Sequence, residues 1–363
     1  MSGLSMQSNQ TTTFAEQINQ AQHQAMQDDP AMLAFGLGIS DPKGIFGTTT
    51  GLAESFGHER VFDMPTAENG MTGIGIGAAL AGSRVLMTHQ RLDFFLLAMD
   101  QLVNNAAKWH YMFNGQMKVP LTIRLIIGRG WGQGPTHAQN LQSWFAHIPG
   151  LKVITPSKTD AVAAQLYSAI MDDSPVIFIE HRWLHQQQCE TSQIKPLTLR
   201  PEPVRVHKTG ADYTIVANSY MVLESLIAAR KLAELGIDAE VLETAELEPA
   251  CWQPVYQSVA KTGRLLVCDS AHTSFSVAAE IISSVTERCF GQLKQAPLRL
   301  GLPDYPEPTS IALTKHFYPS ADSITKKVMM SLQRELPASI QDADEHHSTR
   351  PHDVPGEWFK GPF

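Results

Sequence analysis

The chain has 363 residues, 43% of them hydrophobic and 18% charged, which fits a globular protein of about two domains and excludes a disordered or fibrous one. A formal net charge of −8, with its acids scattered, argues against a nucleic-acid surface. No apolar run reaches the roughly 18 residues that span a bilayer, and Met1–Phe14 lacks both a basic start and an apolar signal core, so a cytoplasmic protein without membrane contact is expected.

In chain order, residues 1–13 are polar and read as a disordered N-terminus. A helix is expected over 14–28, a short buried strand in MLAFGLGI, a helix ending on Gly57, and a strand in RVFDMP stopped by Pro65. GMTGIGIGAALAG reads as a small-residue helix closed by Gly82. RVLMTHQ reads as a strand, DFFLLAMDQLVNNAAKWHYMF as one long helix, and PLTIRLIIG as a near-continuous apolar strand. The glycine-rich loop GRGWGQGPTHAQ follows, then LKVITP, a helix over 159–171, and the strand PVIFIEH. Apolar strands alternating with helices predict a parallel sheet covered on both faces, an α/β domain over 14–185.

Residues 186–204 are polar, contain Pro196, Pro201 and Pro203, and read as a linker. A second, smaller α/β domain is expected over 205–335. Its strands are DYTIVANS, DAEVLET and RLLVCD, and its helices lie over 220–235, near 252–260 and over 274–290. Residues 336–363 read as an extended tail, with Trp358 and Phe359 as candidate docking aromatics. Cys189, Cys251, Cys268 and Cys289 show no CxxC or metal spacing and read as reduced thiols.

Glu68 is a lone acid between a Pro-Thr-Ala turn and the run GIGIGAALAG. It is either a helix cap or a buried glutamate that handles a proton for a cofactor. GIGIGA fits a dinucleotide fingerprint, but no strand precedes it directly, and residues this small more often allow close packing. GRGWGQG has no GKS or GKT after it, so a flexible loop at the carboxyl edge of the sheet is favoured over a phosphate loop. That placement makes its His137 a catalytic candidate. His147 reads as a structural histidine. His89, Asp93 and Phe94 lie at a strand-to-helix junction, where Asp93 could cap the helix. Asn104 and Asn105 resemble half of a metal-diphosphate motif whose GDG partner is absent, and read as helix-surface residues. HExxH, GxSxG and CxxC are all missing.

RVFDMPTAENGMTGIGIGAALAGSRV, DFFLLAMDQLVNNAAKWHYMFNGQ, GQGPTHAQNLQSWFAHIPGLKVITPS and GLPDYPEPTSIALTKHFYPSADSI together resemble the β-subunit of the thiamine-diphosphate-dependent 2-oxo acid dehydrogenase decarboxylase, of which pyruvate dehydrogenase is the best-known member. The resemblance runs from about residue 14 to 334. It implies a transketolase-like architecture, with a pyrimidine-binding domain followed by a transketolase C-terminal domain. It also implies a heterotetramer of two α and two β chains, inactive without the α-subunit, which holds most of the magnesium and diphosphate site. The substrate would be a 2-oxo acid, and a lipoyl acyltransferase a further partner.

The resemblance places Glu68 on the cofactor-activating glutamate, bonded to the aminopyrimidine ring nitrogen. Burial suits a group that shares its proton with a neutral ring. Phe94 falls on the aromatic against the pyrimidine, and His137 on the active-site histidine of the glycine-rich loop. Leu121, Ala169, Ile170, Asp172 and Ser174 fall where some members hold potassium, chiefly through backbone carbonyls.

The chain also departs from the family. Leu37 and Gly38 stand where many members carry an acidic pair, DSAHTSFSVAAEI replaces an HEA…GGFG pattern, WGQGPT differs from the usual His-rich loop, and the tail after about 336 is extra. These departures suggest a divergent branch. The alternatives are a carboligase or split transketolase with a non-lipoyl acceptor, and a degenerate scaffold. Joint retention of Glu68, Phe94 and His137 speaks against the scaffold.

Overall fold

The structure, a computed structural model, describes residues 10–130, 132–199, 201–314 and 316–337. The expected extended tail beyond 337, with Trp358 and Phe359, lies outside the described residues, as do residues 1–9 of the expected disordered N-terminus.

The first domain begins with strand β1 (Thr11–Thr13), within the segment expected to be disordered, and helix α1 (Phe14–Asp28). A reciprocal capping box starts the helix: the Glu16 amide donates to Thr13 Oγ1 at 3.2 Å, and the Thr13 amide to Glu16 Oε2 at 2.7 Å. Phe14, Ile18, Ala21 and Ala25 form its buried stripe at helical spacing. There follow β2 (Leu33–Gly36), α2 (Leu52–Phe56), β3 (Val61–Asp63), α3 (Glu68–Leu80), β4 (Val85–His89), α4 (Leu92–Phe95), α5 (Ala107–Met112), β5 (Leu121–Ile127), α6 (Gln142–Ala146), β6 (Lys152–Ile154), α7 (Thr159–Met171) and β7 (Val176–His181).

Six of these strands pair in the order β3-β2-β4-β5-β7-β6, every pair parallel. All seven residues of β5 are buried, as a central strand covered on both faces requires. Arg124 in this strand is buried too. It pairs with Glu180 on β7 and donates to Gln22 and Thr48 on the α1 side of the sheet. Burial pushes the Glu180 carboxyl up, but Arg124 and His185 outweigh that and hold it below the usual carboxylate range.

The single long helix expected from Asp93 onward is not regular. A 3₁₀ turn at Leu96–Ala98 and a π-helical stretch at Gln101–Ala106 separate α4 from α5. Inside the π stretch Asn104 donates to Asp100 and Asn105 to Gln101, surface roles in agreement with the expectation. An apolar stripe does not distinguish α from π winding, so the sequence carries no sign of this change.

The segment expected to be a linker holds strand β8 (Gln188–Glu190), which pairs antiparallel with β1. The second domain contains β9 (Val204–Lys208), β10 (Tyr213–Ala217), α8 (Met221–Glu234), β11 (Ala239–Thr244), α9 (Gln253–Thr262), β12 (Leu265–His272), α10 (Val277–Cys289), β13 (Leu298–Leu302), α11 (Ile311–Thr314) and α12 (Ala321–Ser331). Its sheet runs β13-β12-β10-β11-β9, parallel except for the antiparallel edge strand β9.

The two domains share one apolar core. Phe95, Phe145 and Val153 of the first belong to the same buried cluster as Leu242, Trp252 and Ile281 of the second. Backbone bonds join them: Thr155 donates to Ala245 O at 2.8 Å, and Leu247 to Val153 O at 3.0 Å. The four cysteines are free, and burial pushes the Cys268 thiol up to about 12, consistent with inert reduced thiols. Among the described residues no helix is long and apolar enough to cross a membrane.

Candidate active site

Parallel α/β sheets bind ligands beyond the carboxyl ends of their strands, and Glu68, Phe94 and His137 follow β3, β4 and β5 there. The chain leaves β3 at Asp63, turns through Pro65 and enters α3 at Glu68, its first helical residue. Ala67 occupies the cap position with no side-chain bond, so Glu68 is not a capping residue. A carboxylate in the first helical turn suits the positive end of the helix dipole. Glu68 is only 5% exposed, yet no hydrogen bond or ion pair reaches its carboxylate among the described residues. A buried acid without a protein partner fits a ligand that brings its own donor.

The GIGIGA run lies inside α3 rather than in a strand-to-helix turn. A Cβ on Gly75 would lie 3.3 Å from both Met87 Sδ and Phe35 Cζ. The small residues therefore let the helix pack onto the sheet, as favoured over a dinucleotide fingerprint.

Phe94 on α4 is 39% exposed. The His137 ring meets its ring edge-on, centroids 5.5 Å apart and planes at 90°. His137 is exposed, and its Nδ1 lies 3.0 Å from Thr136 Oγ1. Asp93, read as a possible cap, instead clasps the far end of the loop: Gln139 Nε2 donates to Asp93 Oδ1 at 2.8 Å, and the Gln139 amide at 3.4 Å. The start of α3 is tied to the same region, with Asn69 Nδ2 donating to Leu97 O at 3.4 Å and Gln101 Nε2 to Asn69 Oδ1 at 3.3 Å. Phe94 and His137 thus touch, and the helix that starts at Glu68 is bonded to the turn just after Phe94.

Behind these residues His89 closes β4, 3% exposed and edge-on to Phe95 at 5.0 Å. Burial lowers its imidazole to about 4, so it is neutral at physiological pH. His147, expected to be a structural histidine, is instead exposed at the end of α6, and no hydrogen bond reaches its imidazole among the described residues.

The residues proposed for potassium gather elsewhere, where β5 begins and α7 ends. Thr122 Oγ1 donates to Ala169 O at 2.9 Å. Arg84 donates to Ile170 O at 3.3 Å and to Asp172 O at 2.9 Å. The Ser174 amide donates to Asp172 Oδ1, and Leu121 opens the neighbouring strand.

Sequence reasoning missed the contribution of the second domain. Thr309 lies against the loop at Gly132 and Gly134, where a Cβ on Gly134 would overlap the Thr309 hydroxyl. Glu307, 3% exposed, lies 3.6 Å from His272 Nε2. Burial raises its carboxyl, and its own backbone amide and His272 offset only part of that. Nothing local in PEPTS signals a position some 170 residues downstream of the loop it abuts.

Comparison with known proteins places the chain in a family. Residues 10–187 match the transketolase pyrimidine-binding domain, and residues 202–324 the transketolase C-terminal domain. The chain is 35% identical over 317 residues to the pyruvate dehydrogenase E1 component subunit beta-1 of Arabidopsis thaliana, covering 86% of this chain and 87% of that one. It is 32% identical to the corresponding subunit beta of Rhizobium meliloti, covering 88% and 69%. It is also 35% identical to the acetoin:2,6-dichlorophenolindophenol oxidoreductase subunit beta of Cupriavidus necator, covering 85% and 93%. A solved split-gene transketolase, described as an inactive β4 tetramer, shares the fold with a TM-score of 0.72 at 22% identity, over 89% of this chain and 99% of that one. The chain is therefore a divergent member of the pyruvate dehydrogenase E1 β-subunit family, a thiamine-diphosphate-dependent family with transketolase-like domains.

Proposed function

We propose that this chain is the β-subunit of a thiamine-diphosphate-dependent 2-oxo acid dehydrogenase and works with an α-subunit in a heterotetramer of two α and two β chains. The observation that carries the reading is Glu68: a buried acid at the carboxyl edge of the sheet, with no hydrogen-bond partner for its carboxylate among the described residues, on the helix bonded to the segment that holds Phe94. Thiamine diphosphate, when bound, supplies the carbon nucleophile for a 2-oxo group and takes up the electrons left by departing carbon dioxide. Glu68 holds a proton at its carboxylate for the pyrimidine ring nitrogen. Phe94 offers an exposed aromatic face for that ring. His137, held at the mouth by its contact with Phe94, moves a proton to or from the reacting substrate.

The α-subunit would supply most of the magnesium and diphosphate site, for which this chain has no GDG motif. Ile74, Leu97, Tyr111 and Met112 are exposed apolar residues on α3, the following 3₁₀ turn and α5, a surface suited to a partner subunit. Potassium at Leu121, Ala169, Ile170, Asp172 and Ser174 fits this arrangement poorly, because the Arg84 guanidinium already occupies the Ile170 and Asp172 carbonyls and Thr122 the Ala169 carbonyl. Transfer of the acyl group to a lipoyl acyltransferase is the first reading of the second half-reaction. A non-lipoyl acceptor is the second reading, because the acetoin oxidoreductase subunit is as similar to this chain as the Arabidopsis subunit is.

The test is co-expression with an α-like chain from the same organism, followed by carbon dioxide release from a panel of 2-oxo acids with thiamine diphosphate, magnesium and an artificial electron acceptor. One acid should be turned over. Glu68→Gln should assemble normally and lose about 10²–10⁴-fold in rate. Full turnover by that variant would remove Glu68 from the mechanism. Lipoyl-domain acylation, set against carbon–carbon bond formation without it, separates the two acceptors.

A further inference from the structure

We propose that the C-terminal domain positions the His137 loop, with Arg129 and Thr309 as the residues that seat it; this rests on the reading of His137 as a site group. Arg129 follows β5 and stands at the root of the loop. It is 7% exposed, its Nε is buried without a hydrogen-bond partner, and no ion pair reaches it among the described residues. Its partners are aromatic faces. The guanidinium lies 4.6 Å from the Trp183 ring of the first domain, and 5.5 Å and 4.5 Å from the Tyr220 and Tyr318 rings of the second. A guanidinium cannot shed its proton to ease burial, so these three rings are what holds it.

The cage is anchored on its far side. Tyr220 donates its hydroxyl to Glu224 Oε1 at 2.7 Å, and Glu224 Oε2 accepts the Ala321 amide at the start of α12, three residues beyond Tyr318. The Thr309 seat is anchored separately. His272 Nδ1 lies 2.7 Å from Pro303 O, Thr273 donates to Leu302 O, and Ser274 to Asp304. The loop therefore has one end in a cage made largely by the second domain and its middle against Thr309. Its other end is clasped by Asp93 beside Phe94. A glycine-rich segment with free ends would spread His137 over many positions. With three attachments the imidazole is held against Phe94, and two of the three belong wholly or mainly to a domain that carries none of the expected site residues.

The experiment uses the full chain in its assembled complex. Backbone hydrogen exchange is read over residues 130–137, together with kcat and KM for the 2-oxo acid. Arg129→Met, which keeps apolar bulk in the cage, should speed exchange of the loop roughly tenfold or more. It should lower kcat by a similar factor and leave KM nearly unchanged, and Arg129→Lys should recover part of both. Thr309→Ala should loosen the same amides without touching the cage, and serves if Arg129→Met does not fold. Unchanged loop exchange in both variants, or a lowered melting temperature with kcat intact, would overturn the proposal. A wild-type assembly that turns over no 2-oxo acid would instead refute the functional reading, and the exchange result would still decide how the loop is seated.

Discussion

His89 makes this protein acid-sensitive in a way that one substitution can isolate. The ring is buried at the end of β4, Nε2 has no hydrogen-bond partner, and burial lowers it from 6.5 to about 4. In the unfolded chain it binds a proton near pH 6.5, and in the folded chain only near pH 4. Between those values the unfolded state holds more protons, so stability rises with pH. Its contribution is fully present above 6.5 and lost as pH falls through 4. A shift of this size is worth about 3 kcal/mol in all, and the loss between pH 7.5 and 4.5 is about 2.5 kcal/mol. His181 and His185 are also lowered by burial and act in the same direction, so a profile of the wild type alone would not assign the effect. His89→Leu removes one titration and leaves the others. Urea unfolding of both proteins at pH 7.5 and 4.5 should show the variant losing about 2.5 kcal/mol less than the wild type across that interval. Equal losses would mean that His89 is solvated or already protonated in the folded state, and the reasoning would fail.

Two further perturbations test the frame that carries the site. Arg124→Met leaves Glu180 buried without its main partner and should cost about 3–5 kcal/mol in denaturant unfolding, whereas a loss under about 1 kcal/mol would show the pair to be unimportant. Gly150 has φ +97 and lies against the Ala107 carbonyl, so Gly150→Ala adds both strain and overlap. It should cost about 3 kcal/mol or more, and an unchanged melting temperature would refute that packing.

What the sequence made legible follows from burial. LTIRLII, VIFIEH and YTIVA are mostly apolar runs because their strands are covered on both faces, and each reads as a strand. β9 and β13 do not, because as edge strands they are only partly buried and their residues follow no unbroken apolar run. β1 and β8 are three residues each and stabilise one another, so neither TTT nor QCE signals a strand alone. The start of α3 was read two residues late, at Gly70 rather than Glu68, since no side-chain cap marks it.

The site divides along the same physical line. Glu68 stood out because an unexplained acid beside small apolar residues is locally anomalous, and its burial without a partner is the three-dimensional form of that anomaly. Arg129 is not singled out by the sequence, and nothing in GRG marks it. Its environment comes from Trp183, Tyr220 and Tyr318, which are distant in sequence and meet only because the domains pack. The two kinds of residue also differ in exposure. Glu68 is fixed by the sheet edge and is already buried, whereas Phe94 and His137 remain open on the same side of the domain. An acid on the first turn of a packed helix gains a fixed position from the chain itself. Under the proposed function, an aromatic face and a loop imidazole that meet cofactor and substrate stay accessible in the free chain. If the proposed α-subunit docks on this side, it should change the surroundings of Phe94 and His137 far more than those of Glu68.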